Sequence, residues 1–175
     1  DIINGVYDGN IDKIGKWIKQ AKIPVYLRIG YEFDLGNNGY EPELYKKVFH
    51  YIVNRLRKQD VTNVAFVWHS GCYPFLDKDI MLWYPGDEYV DWVAISYFNQ
   101  GQQAKAAEIA KKARELNKPF MIAEATPSGI YTQKGKIAYF DSLINVVKRE
   151  NVRFLSYINC DWDSFPMFKN DHWGD

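Results

Sequence analysis

The sequence predicts an α/β protein built as a (β/α)8 TIM barrel, on three observations. Short runs of β-branched and aromatic residues alternate with longer segments of helical periodicity along the whole chain, the pattern of a parallel sheet with helical crossovers. The runs are apolar on both sides, as strands buried on two faces are. Polar and aromatic clusters follow the runs: Tyr31-Glu32-Phe33-Asp34, His69-Ser70, Tyr97-Phe98-Asn99, Glu124-Ala125-Thr126 and Asn159-Cys160-Asp161-Trp162-Asp163. A barrel gathers its functional groups at such C-terminal strand ends. A doubly wound open sheet also fits the alternation, but no Gly-rich phosphate loop follows any run, so the barrel leads.

The elements follow in order. Residues 2–7 form a short apolar run, read as a strand. Residues 10–21 carry Ile11, Ile14, Trp17 and Ile18 at helical spacing, with Asp8 or Asn10 able to cap them. Residues 24–30 are strand-like. Residues 40–59 make a strong helix, with Pro42 near its start, Glu43 in its first turn, and Leu44, Tyr45, Val48, Phe49, Ile52, Val53 and Leu56 as one stripe. A strand over 63–68 leads into a Gly-, Pro- and Asp-rich loop over 69–88. Then come a strand over 91–97, a helix over 102–116, a strand over 119–123, a helix over 135–149 and a last strand over 152–158. This gives six strands, two fewer than closure requires. No repeat, low-complexity stretch or linker interrupts residues 1–175, which read as a single catalytic barrel domain. Asp1 opens directly in a strand-like run and Gly174-Asp175 end without a closing helix. The barrel is therefore expected to be truncated at its N-terminus and to lack its last helix.

Composition narrows the function. With 47% hydrophobic and 25% charged residues the chain is globular. No apolar stretch approaches the ~20 residues of a membrane span. Lys+Arg and Asp+Glu are both 22, which argues against a nucleic-acid binder with its basic surplus. Aromatics reach 17%, enough to fill a core and to stack on flat ligands such as sugar rings. Cys72 and Cys160 have neither metal-ligand nor redox spacing, and are read as two thiols ahead of one disulfide. No second His lies near His69, and no GxSxG elbow occurs. Neither a metal nor a cofactor is expected.

The chemistry concentrates on two glutamates. Glu32 follows the run 24–31 and Glu124 the run 119–123. An unpaired charge at the end of a buried strand is costly, so each carboxylate is paired, solvated or held for chemistry. Two such groups at equivalent places fit an acid/base and nucleophile pair facing one cleft, about 5–5.5 Å apart, for glycosidic cleavage with retention. The acid of such a pair keeps its proton near neutral pH through burial or through its neighbour. Arg28, four residues before Glu32, falls on the same face of a period-two strand. As a buried cation it would hold the nucleophile ionised or make an ion pair on the barrel floor. Tyr97 ends its strand, either hydrogen-bonding the nucleophile or packing in the core. Trp162 suits a sugar-stacking floor or loop packing. Tyr31, Trp68 and His69 also stand at strand ends as candidate substrate contacts. Tyr73, Trp83 and Tyr84 line outer subsites or form a satellite cluster.

The segments Pro-Val-Tyr-Leu-Arg-Ile-Gly-Tyr-Glu-Phe-Asp (24–34), Tyr-Val-Asp-Trp-Val-Ala-Ile-Ser-Tyr (89–97) and Pro-Phe-Met-Ile-Ala-Glu-Ala (119–125) resemble the retaining barrel glycosidases of glycoside hydrolase clan A. Within it the chain is most similar to family 26, of β-mannanase and β-1,3-xylanase type. The resemblance implies that Glu32 is the acid/base after strand four and Glu124 the nucleophile after strand seven. The strands present are then about three to eight. It also implies that Arg28 is the strand-four arginine, Tyr97 the nucleophile-contacting tyrosine and Trp162 the sugar-stacking tryptophan. Glu32 is flanked by Tyr31, Phe33 and Asp34 where the family usually has a preceding His and a nearby Asn.

The expected function is an endo-acting retaining glycosidase of a β-linked polysaccharide or oligosaccharide, located outside the cell or in the periplasm because its substrate is a polymer. Its rival is an inactive carbohydrate-binding or structural barrel. In either case a partner chain or a missing segment would cover the open sheet edges. A metal-dependent barrel hydrolase is a third reading, and it requires converging His and Asp ligands.

Overall fold

The computed structural model describes residues 1–76 and 78–168. The expected alternation holds, with five strands rather than six among the described residues. The strand order is that of the chain, β1-β2-β3-β4-β5. Contacts divide the chain into two compact units: residues 1–70 with 78–93, and residues 71–76 with 94–168 among those described.

The first unit opens with a 3-10 turn, Ile2–Asn4, closed by Gly5 at φ 81. The strand expected over residues 2–7 is therefore absent, because Gly5 turns the chain directly into helix α1, Asp8–Ala21. That helix starts earlier than its periodicity predicts and has no side-chain cap at Tyr7. β1 is Val25–Arg28. Helix α2, Pro42–Lys58, begins as predicted with Pro42 in its first turn, and the cap is the Glu41 carboxylate, which accepts from the amides of Glu43 and Leu44. β2, Val64–Ser70, pairs with β1 in parallel from Val25↔Val64 to Arg28↔Val67.

Arg55 of α2 docks α1. It donates to Asp12 at 2.7 Å twice and to Asp8 at 2.6 Å, while Gln59 adds a 2.8 Å bond to Asp12. Beneath this network Ile11, Ile18, Phe49, Val53 and Leu56 are buried. Burial of this stripe carries the stability at about 25 cal/mol per Å² of apolar surface, since exposed ion pairs add little.

In the second unit β3, Trp92–Tyr97, contributes its last four residues. α3, Gln103–Glu115, turns Ala106, Ile109, Ala110 and Ala113 inward. β4, Phe120–Ala125, runs two residues further than the sequence suggests. α4, Gln133–Arg149, is capped by the Thr132 hydroxyl on the Gly135 amide. β5 is Phe154–Tyr157, parallel to β4. Gln102 is fully buried. Its Oε1 accepts from the amides of Phe98 and Asn99, and its Nε2 donates to the carbonyls of Gly71, Cys72 and Ser96. Neither Cys72 nor Cys160 forms a disulfide among the described residues. The closing-helix expectation falls on residues 169–175, outside the described residues.

Two glycines test this architecture. Gly30 sits at φ +60, and a Cβ there would stand 2.8 Å from Tyr45 Cε2. Gly30→Ala is expected to cost about 2 kcal/mol or more in urea unfolding, from left-handed strain and the clash. Gly9 lies in α1 with open space around it, so Gly9→Ala should be neutral or stabilise by up to about 1 kcal/mol.

Candidate active site

The chain leaving β1 carries the first candidate. β1 ends at Arg28, so the period-two argument that put Arg28 and Glu32 on one face does not extend past the strand. Instead Gly30 and Glu32 both adopt positive φ, at 60° and 49°. A non-glycine residue in this region costs roughly 1–2 kcal/mol and calls for a reason. Four of the other five such residues, Lys22, Asp60, Asn117 and Asn151, lie just past the ends of the four α-helices, where left-handed residues are routine. Glu32 has no such excuse, and it is only 7% exposed.

Its neighbours explain how the conformation persists. The Phe33 amide donates to the His69 carbonyl at 3.2 Å. The Phe33 ring stacks on Trp68, with centroids 4.7 Å apart, and leans on Tyr45 and Trp83. The Ser70 hydroxyl donates to Asp34 at 2.5 Å. Residues 33 and 34 are thus each tied to the end of β2. The Glu32 carbonyl accepts from the Leu35 amide at 3.0 Å and from Asn38 Nδ2 at 3.0 Å, and Asn38 also reaches the Tyr31 carbonyl at 3.3 Å. Tyr31 presents its ring to solvent.

Arg28 is exposed rather than buried, which corrects the expectation of a buried cation. Its Nη1 lies 3.3 Å from His69 Nδ1. A guanidinium only donates, so Nδ1 accepts and the ring proton resides on Nε2. Burial, and then the Arg28 charge, lower the His69 pKa to about 3. His69 is therefore a neutral Nε2–H donor across the physiological range. Trp68 is 1% exposed, with Phe33 on its face and Tyr84 at its edge. In this structure Trp68 is packing rather than a sugar platform. Trp83 and Tyr84 join the same aromatic nest, with the Trp83 indole donating to the Tyr40 carbonyl. This is the satellite-cluster alternative.

The second candidate, Glu124, lies within β4 and is partly exposed. The β4–β5 register runs Ile122↔Leu155 and then Ala125↔Tyr157. Three steps on β4 match two on β5, so β4 carries an extra residue beside Glu124. Such a bulge re-aims a side chain, and bulges gather next to active sites. Tyr97, from β3 in the same unit, is fully buried. Its hydroxyl lies 2.5 Å from Ser142 Oγ on α4, which also accepts from Gln103 Nε2 at 2.6 Å. Burial pushes the Tyr97 phenol up. The nucleophile contact expected of Tyr97 is replaced by this helix contact, because its side chain points to the helix layer. Trp162 is half-buried, edge-on to Phe168 at 5.0 Å. Among the described residues no group of three or more His, Cys, Asp or Glu could hold a metal ion.

Asn38, Ser70, Gln102 and Ser142 escaped sequence reasoning. Asn38 stands in Gly36-Asn37-Asn38-Gly39, a turn signal that does not say which Asn reaches back to a carbonyl.

Solved structures share this fold, a (β/α)8 barrel of which the described residues form five strands. A GH26 β-mannanase from Bacteroides ovatus matches with TM-score 0.71 at 20% identity, over 85% of this chain and 48% of that one. The catalytic domain of a Bacillus sp. JAMB-750 GH26 endo-β-1,4-mannanase matches with TM-score 0.74 at 20% identity, over 88% and 47%. The family model described as glycosyl hydrolase family 26 matches residues 3–170, and the chain belongs to that family. β-1,3-Xylanase TXYA from a Vibrio species is 30% identical over all of this chain and 45% of its own length. A β-1,3-xylanase from an Alcaligenes species is 28% identical over all of this chain and 44% of its own. The chain thus spans less than half the length of these curated relatives.

Two outcomes follow from this geometry. His69 folds with its pKa below the unfolded 6.5, at about 3. Between these values the unfolded chain holds a proton that the folded chain lacks, so this residue makes stability fall as pH drops through that window. Unfolding of His69→Asn, compared at about pH 7.5 and pH 4.5, should show a smaller acid loss than the parent. Tyr97→Phe should cost about 1 kcal/mol in urea unfolding from the lost hydroxyl contact.

Proposed function

We propose that the chain carries the catalytic pair of a retaining glycosidase acting on a β-linked polysaccharide. Glu32 is its acid/base and Glu124 its nucleophile. One observation carries the reading: each of the two carboxylates stands where regular strand geometry breaks, Glu32 in a left-handed residue past β1 and Glu124 beside an extra residue in β4. The strands concerned are three apart in the chain, and strand β1 takes the place of barrel strand four.

In the first step the Glu32 carboxyl gives its proton to the glycosidic oxygen as the Glu124 carboxylate attacks the anomeric carbon. The C–O bond breaks and a glycosyl ester forms. In the second step Glu32, now ionised, takes a proton from water, whose oxygen displaces Glu124 from the same carbon. Two inversions leave the configuration retained. The mechanism requires the two carboxyl groups about 5–5.5 Å apart. The exposed Tyr31 hydroxyl is a candidate hydrogen-bond partner for sugar hydroxyls and Trp162 a candidate stacking surface, whereas His69, fully buried, is set aside as a direct contact.

β-1,3-Linked xylan is the first substrate to test, because two curated relatives matched over all of this chain are named for it. β-Mannan comes second, and action within the polymer chain is proposed for either. A polymer substrate places the protein outside the cytoplasm, and the complete polypeptide is proposed to supply the remaining strands of the barrel. The test uses the complete gene product on β-1,3-xylan, β-mannan and cellulose, with early products read by proton NMR. The β-anomer should appear first. Glu124→Gln should show no turnover, and Glu32→Gln should lose roughly 10²–10⁴-fold. An α-anomer, or undiminished turnover in both variants, overturns the proposal.

A further inference from the structure

We infer that Asn38 is a positioning residue for the carboxyl of Glu32, and that it acts by clamping both peptide planes that meet at the Glu32 Cα. This rests on Glu32 being the acid/base.

The direction of a side chain leaving the backbone is fixed by the two peptide planes on either side of its Cα. The plane before Glu32 carries the Tyr31 carbonyl, and its rotation is the φ of Glu32. The plane after it carries the Glu32 carbonyl, and its rotation is the ψ. Asn38 Nδ2 donates to both carbonyls, at 3.3 Å and 3.0 Å. Both partners are acceptors, so only the amide NH2 can face them, and the side chain's orientation is settled by chemistry. The NH2 has two hydrogens, one for each plane.

The other ties are unequal. The Glu32 carbonyl has a second donor in the Leu35 amide at 3.0 Å, and the following residue is fixed by the Phe33 amide on the His69 carbonyl. For the Tyr31 carbonyl, Asn38 is the donor that the structure provides among the described residues. Without it the plane preceding Glu32 is free to turn, and φ at 49° is the value that a non-glycine residue leaves when it can. Asn38 itself is held at the end of the 3-10 turn Gly36–Asn38, with its own amide on the Leu35 carbonyl at 3.0 Å and Gly39 at φ 66. The loop therefore has its own closure and survives loss of the side chain, while the aim of Glu32 does not.

A misaimed acid harms proton transfer more than binding, and a displacement of about 1 Å costs about 10² in rate. The experiment compares the complete protein with Asn38→Ala and Asn38→Asp, the latter the same shape with oxygens facing the carbonyls. The probes are β-1,3-xylan and the phenyl and 2,4-dinitrophenyl glycosides of β-1,3-xylobiose. Dinitrophenolate departs without a proton, whereas a sugar or phenol leaving group needs one. Both variants should lose roughly 10–100-fold in kcat on xylan and on the phenyl glycoside, with KM within about threefold. On the dinitrophenyl glycoside, with azide added to take over the second step without a base, the loss should stay within about threefold. An equal loss on all probes would mean a merely structural residue, and no loss would mean no clamp; either overturns the inference. Glu32→Gln is run alongside. If it loses xylan turnover while the Asn38 variants show a flat loss, only the positioning role falls. If it keeps xylan turnover, the acid/base reading falls and takes this inference with it. Should Asn38→Ala not fold, Asn38→Asp carries the comparison.

Discussion

A left-handed residue just beyond a strand persists only if the polar groups around it are tied down, and at Glu32 they are. The strand neighbour supplies a carbonyl for the Phe33 amide and a hydroxyl for Asp34, and the turn supplies amides for the carbonyls of residues 31 and 32. Each bond alone is worth about 1 kcal/mol. Together they exceed the cost of one unfavourable φ, which is how a fold stores strain at a chosen place. The aromatic nest of Phe33, Tyr45, Trp68 and Trp83 then acts as ballast: it fixes the segment after Glu32 so that the loop cannot relieve the strain by moving as a whole.

The second unit reaches a comparable end by another route. An extra residue in β4 breaks the ladder near Glu124, and pairing resumes at once through the Ile158 amide on the Ala125 carbonyl at 2.9 Å. The disturbance is local: the ladder is regular through Ile122↔Leu155 and β4 ends at Ala125. His69 adds a neutral donor of fixed tautomer in the first unit, set by a guanidinium that cannot accept. These devices use backbone geometry and proton placement, and need neither large cavities nor extra charge.

Much of the architecture was legible in the sequence because hydrophobic period and length separate helices from buried strands. The four helices and strands β1 to β5 lie where the pattern puts them, within a few residues. Residues 2–7 read as a strand because a short apolar run has no period of its own, whereas the Asn4-Gly5 pair turns the chain there. The site was legible as a set of positions, not as contacts. Glu32 and Glu124 stand at strand ends by pattern alone, but a left-handed φ and a bulge leave no compositional trace when the residue is neither Gly nor Asn. A run apolar on both sides implies cover on both faces and so a buried Arg28; its side chain is exposed. Tyr97 was assigned by its place at a strand end, yet a terminal residue can face the helix layer as readily as the cleft, and only Ser142 decides it.

The buried amide of Gln102 has a consequence for how the molecule can change. One side chain fastens the backbone after β2, at Gly71 and Cys72, and the backbone after β3, at Phe98 and Asn99. Neither connection can gain or lose a residue at those points without stranding donors and acceptors of the other. An insertion in the segment after β2 is therefore best accommodated downstream of Cys72, where Pro74 and Phe75 meet solvent, leaving both anchor points in register.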